Sequence, residues 1–169
     1  GTRRTLEYLK NINPDLCIHS FKSYTKVFDW QIPDEWNIYD AYIEHESGKK
    51  FAEFSVNNLH VLGYSTPCDI NIPLEELLPH IYTQPDQPDL TPYVTSYYYE
   101  RWGFCMPEND KKSLPKGKYH VVIDANKGPG SLELADLIIN GESSNEIFFS
   151  TYVCHPSMAN NELSGPVIS

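Results

Sequence analysis

Positive charge is scarce in this 169-residue chain. Thirteen lysines and arginines stand against 23 aspartates and glutamates, a formal charge of −10. The longest basic cluster is Lys111–Lys112, and it follows Glu108 and Asp110. Binding to a phosphate backbone relies on clustered Lys and Arg, so no nucleic-acid partner is expected. No apolar run approaches the ~20 residues of a membrane span. No charged, apolar, small-residue leader is visible. A cytoplasmic location without a membrane partner is the expectation. The four cysteines, Cys17, Cys68, Cys105 and Cys154, include no CxxC pair, which excludes a zinc ribbon and a thioredoxin-like motif. Their wide, uneven spacing does not form a disulfide framework, so reduced thiols are expected. Internal repeats and low-complexity tracts are absent as well.

What is present is core material. Hydrophobic residues make up 40% of the chain and aromatic residues 13%, enough to argue against wholesale disorder. The length suits one domain, or one domain carrying a smaller insert. Thr2 to Lys10 reads as a helix with Leu6, Leu9 and Ile12 on one face, ended by Asn13-Pro14. From Tyr24 the period shortens. Lys26 to Trp30, Ile38 to Ile43, Phe51 to Phe54 and Leu59 to Leu62 read as short strands between Asn, Gly and Ser turns. Pro73 to Tyr82 reads as a short helix with Leu77, Leu78 and Ile81 on one face. The proline-rich stretch Gln84 to Asp89 reads as an ordered loop, because the aromatic block from Thr95 to Phe104 needs burial nearby.

The last third reads differently. Tyr119 to Asp124 is a strand, and Leu132 to Ile139 is expected to pair with it across the Lys127–Ser131 turn. Ile147 to Val153 is apolar with little alternation, as in a strand buried on both faces of an α/β sheet. It delivers Cys154-His155-Pro156-Ser157 at its carboxyl end, where ligands collect in open α/β sheets. Asn161 is a plausible N-cap and Pro166 a first-turn residue of a helix that meets the terminus, which suggests a piece of a longer protein.

His155 is the leading candidate for chemistry, since neutral imidazole is a common metal ligand. On the residues alone, a hydrogen-bonded loop histidine is the more ordinary reading. Cys154 is expected to be buried and structural, because a reactive thiol needs a depressed pKa and an aligned base. His19, His45, His60, His80 and His120 form no metal-ligand spacing.

The string from Cys154 to Gly165 resembles the first metal-binding segment of the co-catalytic zinc aminopeptidases (clan MH). More closely, it resembles a bacterial aminopeptidase-like family whose pattern is roughly Cys-His-Pro-Ser-Leu-Ala-Asn-Asp-Asn-Leu-Ser-Gly and which carries an inserted domain of unknown function. Phe28-Asp29-Trp30, Glu35-Trp36-Asn37-Ile38, Tyr64-Ser65-Thr66-Pro67 and Trp102-Gly103-Phe104-Cys105 occur in the same order as in that family. The resemblance implies an α/β fold with a partial, zinc-aminopeptidase-like mixed sheet. Residues 1–23 and 114–169 would belong to that domain, and 24–113 to an inserted β-rich domain. It implies zinc, one or two ions, with His155, Asn161 and Glu162 as metal residues and Ser157 supporting His155. The family usually has Asp at the Asn161 position, and an amide offers one neutral oxygen where a carboxylate bridges two cations. The catalytic Glu and the remaining ligands of the family lie downstream of Ser169, so no catalytic residue is assigned within this chain.

The expected function is a zinc-dependent, aminopeptidase-like hydrolase acting on a peptide or aminoacyl small molecule. The alternative is a non-catalytic binding protein on the same scaffold, favoured by Asn161. Arg101 and Trp102 would meet substrate if the insert caps the cleft; the ordinary alternative is a small-domain core. The insert is also a candidate for binding a partner or joining a second copy in a homo-oligomer.

Overall fold

The computed structural model describes residues 1–155 and 157–169, so Pro156 of the Cys-His-Pro-Ser string lies outside the described residues. In chain order the elements are α1 (Thr2–Ile12), β1 (Cys17–Lys22), β2 (Lys26–Val27), β3 (Trp30–Gln31), β4 (Glu35–His45) and β5 (Lys50–Phe51). Then come β6 (Cys68–Pro73), α2 (Leu74–Leu77), β7 (Ile81–Tyr82), β8 (Phe104–Cys105) and α3 (Glu108–Lys112). The chain ends with β9 (Lys118–Gly128), β10 (Ser131–Asp136) and α4 (Ala159–Ile168). This is a mixed α/β protein with small sheets. It divides into one compact unit of Gly1–Glu35 with Pro129–Ser169 and a second of Trp36–Gly128. These bounds differ from the 24–113 expected for an insert. Residues 26–31 form a hairpin of the first unit, and β9 lies inside the sheet of the second.

The second unit is organised by alternation. Its sheet has the order β5-β4-β9-β6, with β6 antiparallel to β9. Along β9, Tyr119, Val121 and Ile123 point inward, and along β4, Ala41, Ile43 and His45 do the same. A period of two puts one face of each strand into the core. Phe104, Met106, Leu77, Ile81, Val61 and Leu114 complete that core. The Tyr119 hydroxyl donates to the Pro115 carbonyl at 2.6 Å, which satisfies the polar tip of a buried ring. The helix expected over 73–82 is only one turn of α-helix, Leu74–Leu77, followed by a 3-10 turn at Leu78–His80 and then β7. Pro79 lacks an N–H and cannot extend the ladder.

The first unit is thinner. Leu6 and Ile32 are its only buried hydrophobic residues among those described. β1 pairs antiparallel with β10, from Cys17 opposite Asp136 to Lys22 opposite Ser131. This corrects the expectation that 132–139 pairs with 119–124; that strand belongs to the other sheet, between β4 and β6. Glu133 ties the ladder together. Its carboxylate accepts from Ser20, Ser131 and Arg3, and Arg3 also pairs with Glu35 at 3.0 Å. The run Ile147–Val153 is irregular and exposed, with Phe148 at 88% accessibility. A strand buried on both faces needs a neighbour on each side, and this run pairs with no strand among the described residues.

α4 begins at Ala159 after an Met158 cap, three residues earlier than the Asn161 cap expected, and Pro166 sits inside the helix rather than in its first turn. At Gly165 a Cβ would come within 2.7 Å of Thr151 Cβ, so glycine permits the helix to lie against the extended run. The four cysteines are free, and Cys154 is exposed rather than buried.

Burial predicts where truncation is felt. Phe104→Ala should cost about 3–5 kcal/mol and Phe148→Ala less than about 0.5 kcal/mol in urea unfolding of this chain. Equal costs would misplace the core.

Candidate metal centre

The centre forms where an extended segment meets a helix. Residues 151–155 run into a turn at Ser157, whose φ of +58° lies in the left-handed region, and α4 then starts. The turn reverses the chain, so Glu162, on the first turn of α4, faces back to residues seven and eight positions earlier. Glu162 is 6% exposed and is the buried acidic residue of this unit among those described.

Both Glu162 oxygens are engaged. Oε1 accepts from Nδ1 of His155 at 2.5 Å, and Oε2 accepts from the backbone N–H of Cys154. An ionised carboxylate only accepts, so the proton of a neutral His155 lies on Nδ1 and the ring lone pair on Nε2. Burial alone pushes the Glu162 carboxyl upward, but the hydrogen bonds from His155 and the adjacent backbone, with the nearby imidazole, hold it below its ordinary value of 4.5. The Tyr152 ring stands edge-on to His155, centroids 5.6 Å apart, and its hydroxyl donates to Asn161 Oδ1 at 2.9 Å. Tyr152 thus touches both residues, the imidazole with its ring and Asn161 with its hydroxyl.

Cys154 was not expected here. Adjacent residues of a regular strand point to opposite faces, but 154 and 155 are not in a strand, and Sγ lies 3.5 Å from His155 Nδ1. Ligand atoms of Cys154, His155 and Glu162 all fall within 4.8 Å of one another. Partial desolvation of the sulfur, and secondarily the Glu162 charge, raise the Cys154 thiol, which argues against a nucleophilic role. Imidazole nitrogen and oxygen donors suit zinc, and the raised Cys154 thiol lies beside them without the thiolate character of a ligand.

The remaining predicted residues are engaged in their own unit. Arg101 donates to Ser96 Oγ at 3.0 Å and to the Thr95 carbonyl at 3.1 Å, and Trp102 stacks on His80 with centroids 3.7 Å apart. Both brace the 95–104 segment. The other histidines have partners too: His19 with Asp136, His45 with Ser47, His60 with the Cys105 carbonyl, His80 with the Trp102 carbonyl and His120 with Asp69.

The family model described as "Domain of unknown function (DUF2172)" matches residues 35–126. A Clostridium acetobutylicum protein named "Putative polysaccharide biosynthesis protein with aminopeptidase-like domain" is 47% identical over 165 residues, covering 98% of this chain and 38% of that protein. A crystal structure described as a "putative peptidase" from Clostridium acetobutylicum matches with a TM-score of 0.92 and 46% identity, covering 97% of this chain and 39% of that one. The chain thus spans under two-fifths of the length of these relatives.

A depressed Glu162 titration has a defined sign. Its interactions stabilise the protein above the unfolded carboxylate range and are lost as pH falls through the lower folded value. Carboxyl-detected NMR should place the Glu162 midpoint below 4.5, and Glu162→Gln should remove that part of the acid dependence of unfolding. A midpoint above 4.5 would mean that desolvation wins.

Proposed function

This chain belongs to the family described as domain of unknown function (DUF2172), and from that premise we propose that it forms part of a longer, metal-dependent aminopeptidase-like hydrolase. The names of its relatives support the peptidase reading. The observation that carries the metal is the buried Glu162 carboxylate fixing His155, with Cys154 and Asn161 beside it. Zinc is the proposed ion. His155 would supply its Nε2 nitrogen and Asn161 an oxygen, with Ser157 in support; Glu162, whose oxygens are taken by His155 and the Cys154 N–H, would orient the ring.

When bound, such an ion lowers the pKa of a coordinated water and polarises a substrate carbonyl. The chain's own contribution is orientation. Glu162 accepts a hydrogen bond from the Nδ1–H of His155, which fixes the tautomer and raises the basicity of the ring. Tyr152 holds the Asn161 side chain in place through its hydroxyl. The general base that would accept the water's proton belongs, by family resemblance, to residues beyond Ser169. The wider architecture we propose is a zinc-aminopeptidase-like sheet interrupted by the β-rich unit. The apolar composition of Ile147–Val153 supports a place inside that sheet in the longer protein. The substrate class is a peptide or aminoacyl small molecule. A reducing, cytoplasmic setting accords with four free cysteines. Among the described residues, no helix is long and apolar enough to cross a membrane.

A second reading, a non-catalytic binding protein, is favoured by Asn161, whose oxygen already accepts from Tyr152 and carries no charge. Zinc competition with a fluorescent chelator on the full-length protein tests the first reading. Glu162→Gln should weaken zinc binding about 10–100-fold, and His155→Ala should abolish it. Unchanged affinity in both variants rejects the site. Turnover of aminoacyl-arylamides by the wild type refutes the binding-only reading, whereas activity appearing only in Asn161→Asp supports it.

A further inference from the structure

A pocket of about 220 Å³ opens on the second unit, lined by Lys49, Phe51, Ala52, His60, Met106, Asp110 and Ser113. Ala52 and Met106 are buried, while Lys49, Asp110 and Ser113 are exposed. Local structure explains why these groups meet. Ala52 sits at φ +47°, a left-handed conformation that turns the chain sharply after β5. Asn57 caps the 3-10 turn at Asn58–His60 by accepting from the Leu59 N–H. His60 then donates from Nδ1 to the Cys105 carbonyl at 2.9 Å. A carbonyl only accepts, so a neutral His60 carries its lone pair on Nε2.

The charges are arranged unusually for a surface this acidic. The neighbours of Asp110 on α3 are used internally: Lys111 donates to the Ile81 carbonyl at 2.8 Å, and Lys112 pairs with Glu108 at 3.3 Å. The Asp110 carboxylate itself makes no ion pair or side-chain hydrogen bond among the described residues, and Lys49 makes no ion pair. The Lys49 ammonium lies 4.8 Å from the centre of the Phe51 ring. One pocket therefore carries a cation and an anion that do not neutralise each other. Phe51, Ala52 and Met106 add apolar surface, and His60 adds an acceptor. The volume is far above the ~10–15 Å³ that one water needs and below the ~300 Å³ typical of sites for larger ligands.

We propose that this pocket binds a free α-amino acid with an apolar side chain, its carboxylate toward Lys49, its ammonium toward Asp110 and His60, and its side chain against Phe51 and Met106. The inference stands apart from the metal centre and does not rest on the peptidase reading. The test uses backbone-amide NMR of the full-length protein without added zinc. L-Leucine should give saturable shifts at Ala52, His60 and Met106. L-Leucine amide, which lacks the carboxylate, and N-acetyl-L-leucine, which lacks the ammonium, should each bind about tenfold more weakly or worse. Lys49→Met and Asp110→Asn should show the same loss for leucine. Both side chains are exposed, and an unshifted Val121 amide reports an intact core. No saturable shift with leucine overturns the proposal. So does equal binding of leucine and both analogues, or full affinity in both variants.

Discussion

A buried carboxylate that has lost its water must be compensated by the protein, and at Glu162 that compensation shapes everything around it. The helix α4 brings the carboxylate to the end of the extended run. The backbone N–H of Cys154 and the His155 ring then take its two oxygens. Once both contacts are made, the imidazole cannot rotate freely, and its second nitrogen is the one left to act as a ligand. A glycine at 165 lets the helix lie close enough to Thr151 for this to happen. The functional proposal is therefore a consequence of one solvation problem and its solution.

The two units solve the problem of burial differently. The second packs alternate residues of β4 and β9 into a core with Phe104 and Met106, and it is held by its own side chains. The first buries little apolar surface, and its β1–β10 ladder relies on the polar knot of Arg3, Ser20, Ser131 and Glu133. Exposed Ile138, Ile139, Phe148 and Phe149 belong to the same unit.

Much of this was legible in the residues. The alternation of Tyr119, Val121 and Ile123 identifies a half-buried strand directly, and Leu6 and Leu9 identify α1. Strand partners were not legible. Residues 132–136 read as the mate of their neighbour in sequence, residues 119–124, whereas their partner is β1, more than a hundred residues away. The short helix at 73–82 was overextended because Leu77, Leu78 and Ile81 set a convincing period while Pro79 interrupts it. At the candidate metal centre, His155 and Glu162 follow from the family-like string. Cys154 was missed because strand alternation was assumed for a segment that forms no strand. Tyr152 could have been noticed as the polar-tipped aromatic three residues before the histidine.

Zinc K-edge X-ray absorption on the full-length, zinc-loaded protein tests the central claim most directly. The account predicts a first shell of nitrogen and oxygen at about 2.0–2.2 Å with the outer scattering of an imidazole, lost in His155→Ala. A spectrum unchanged by that substitution, or a protein that retains no zinc, would contradict it.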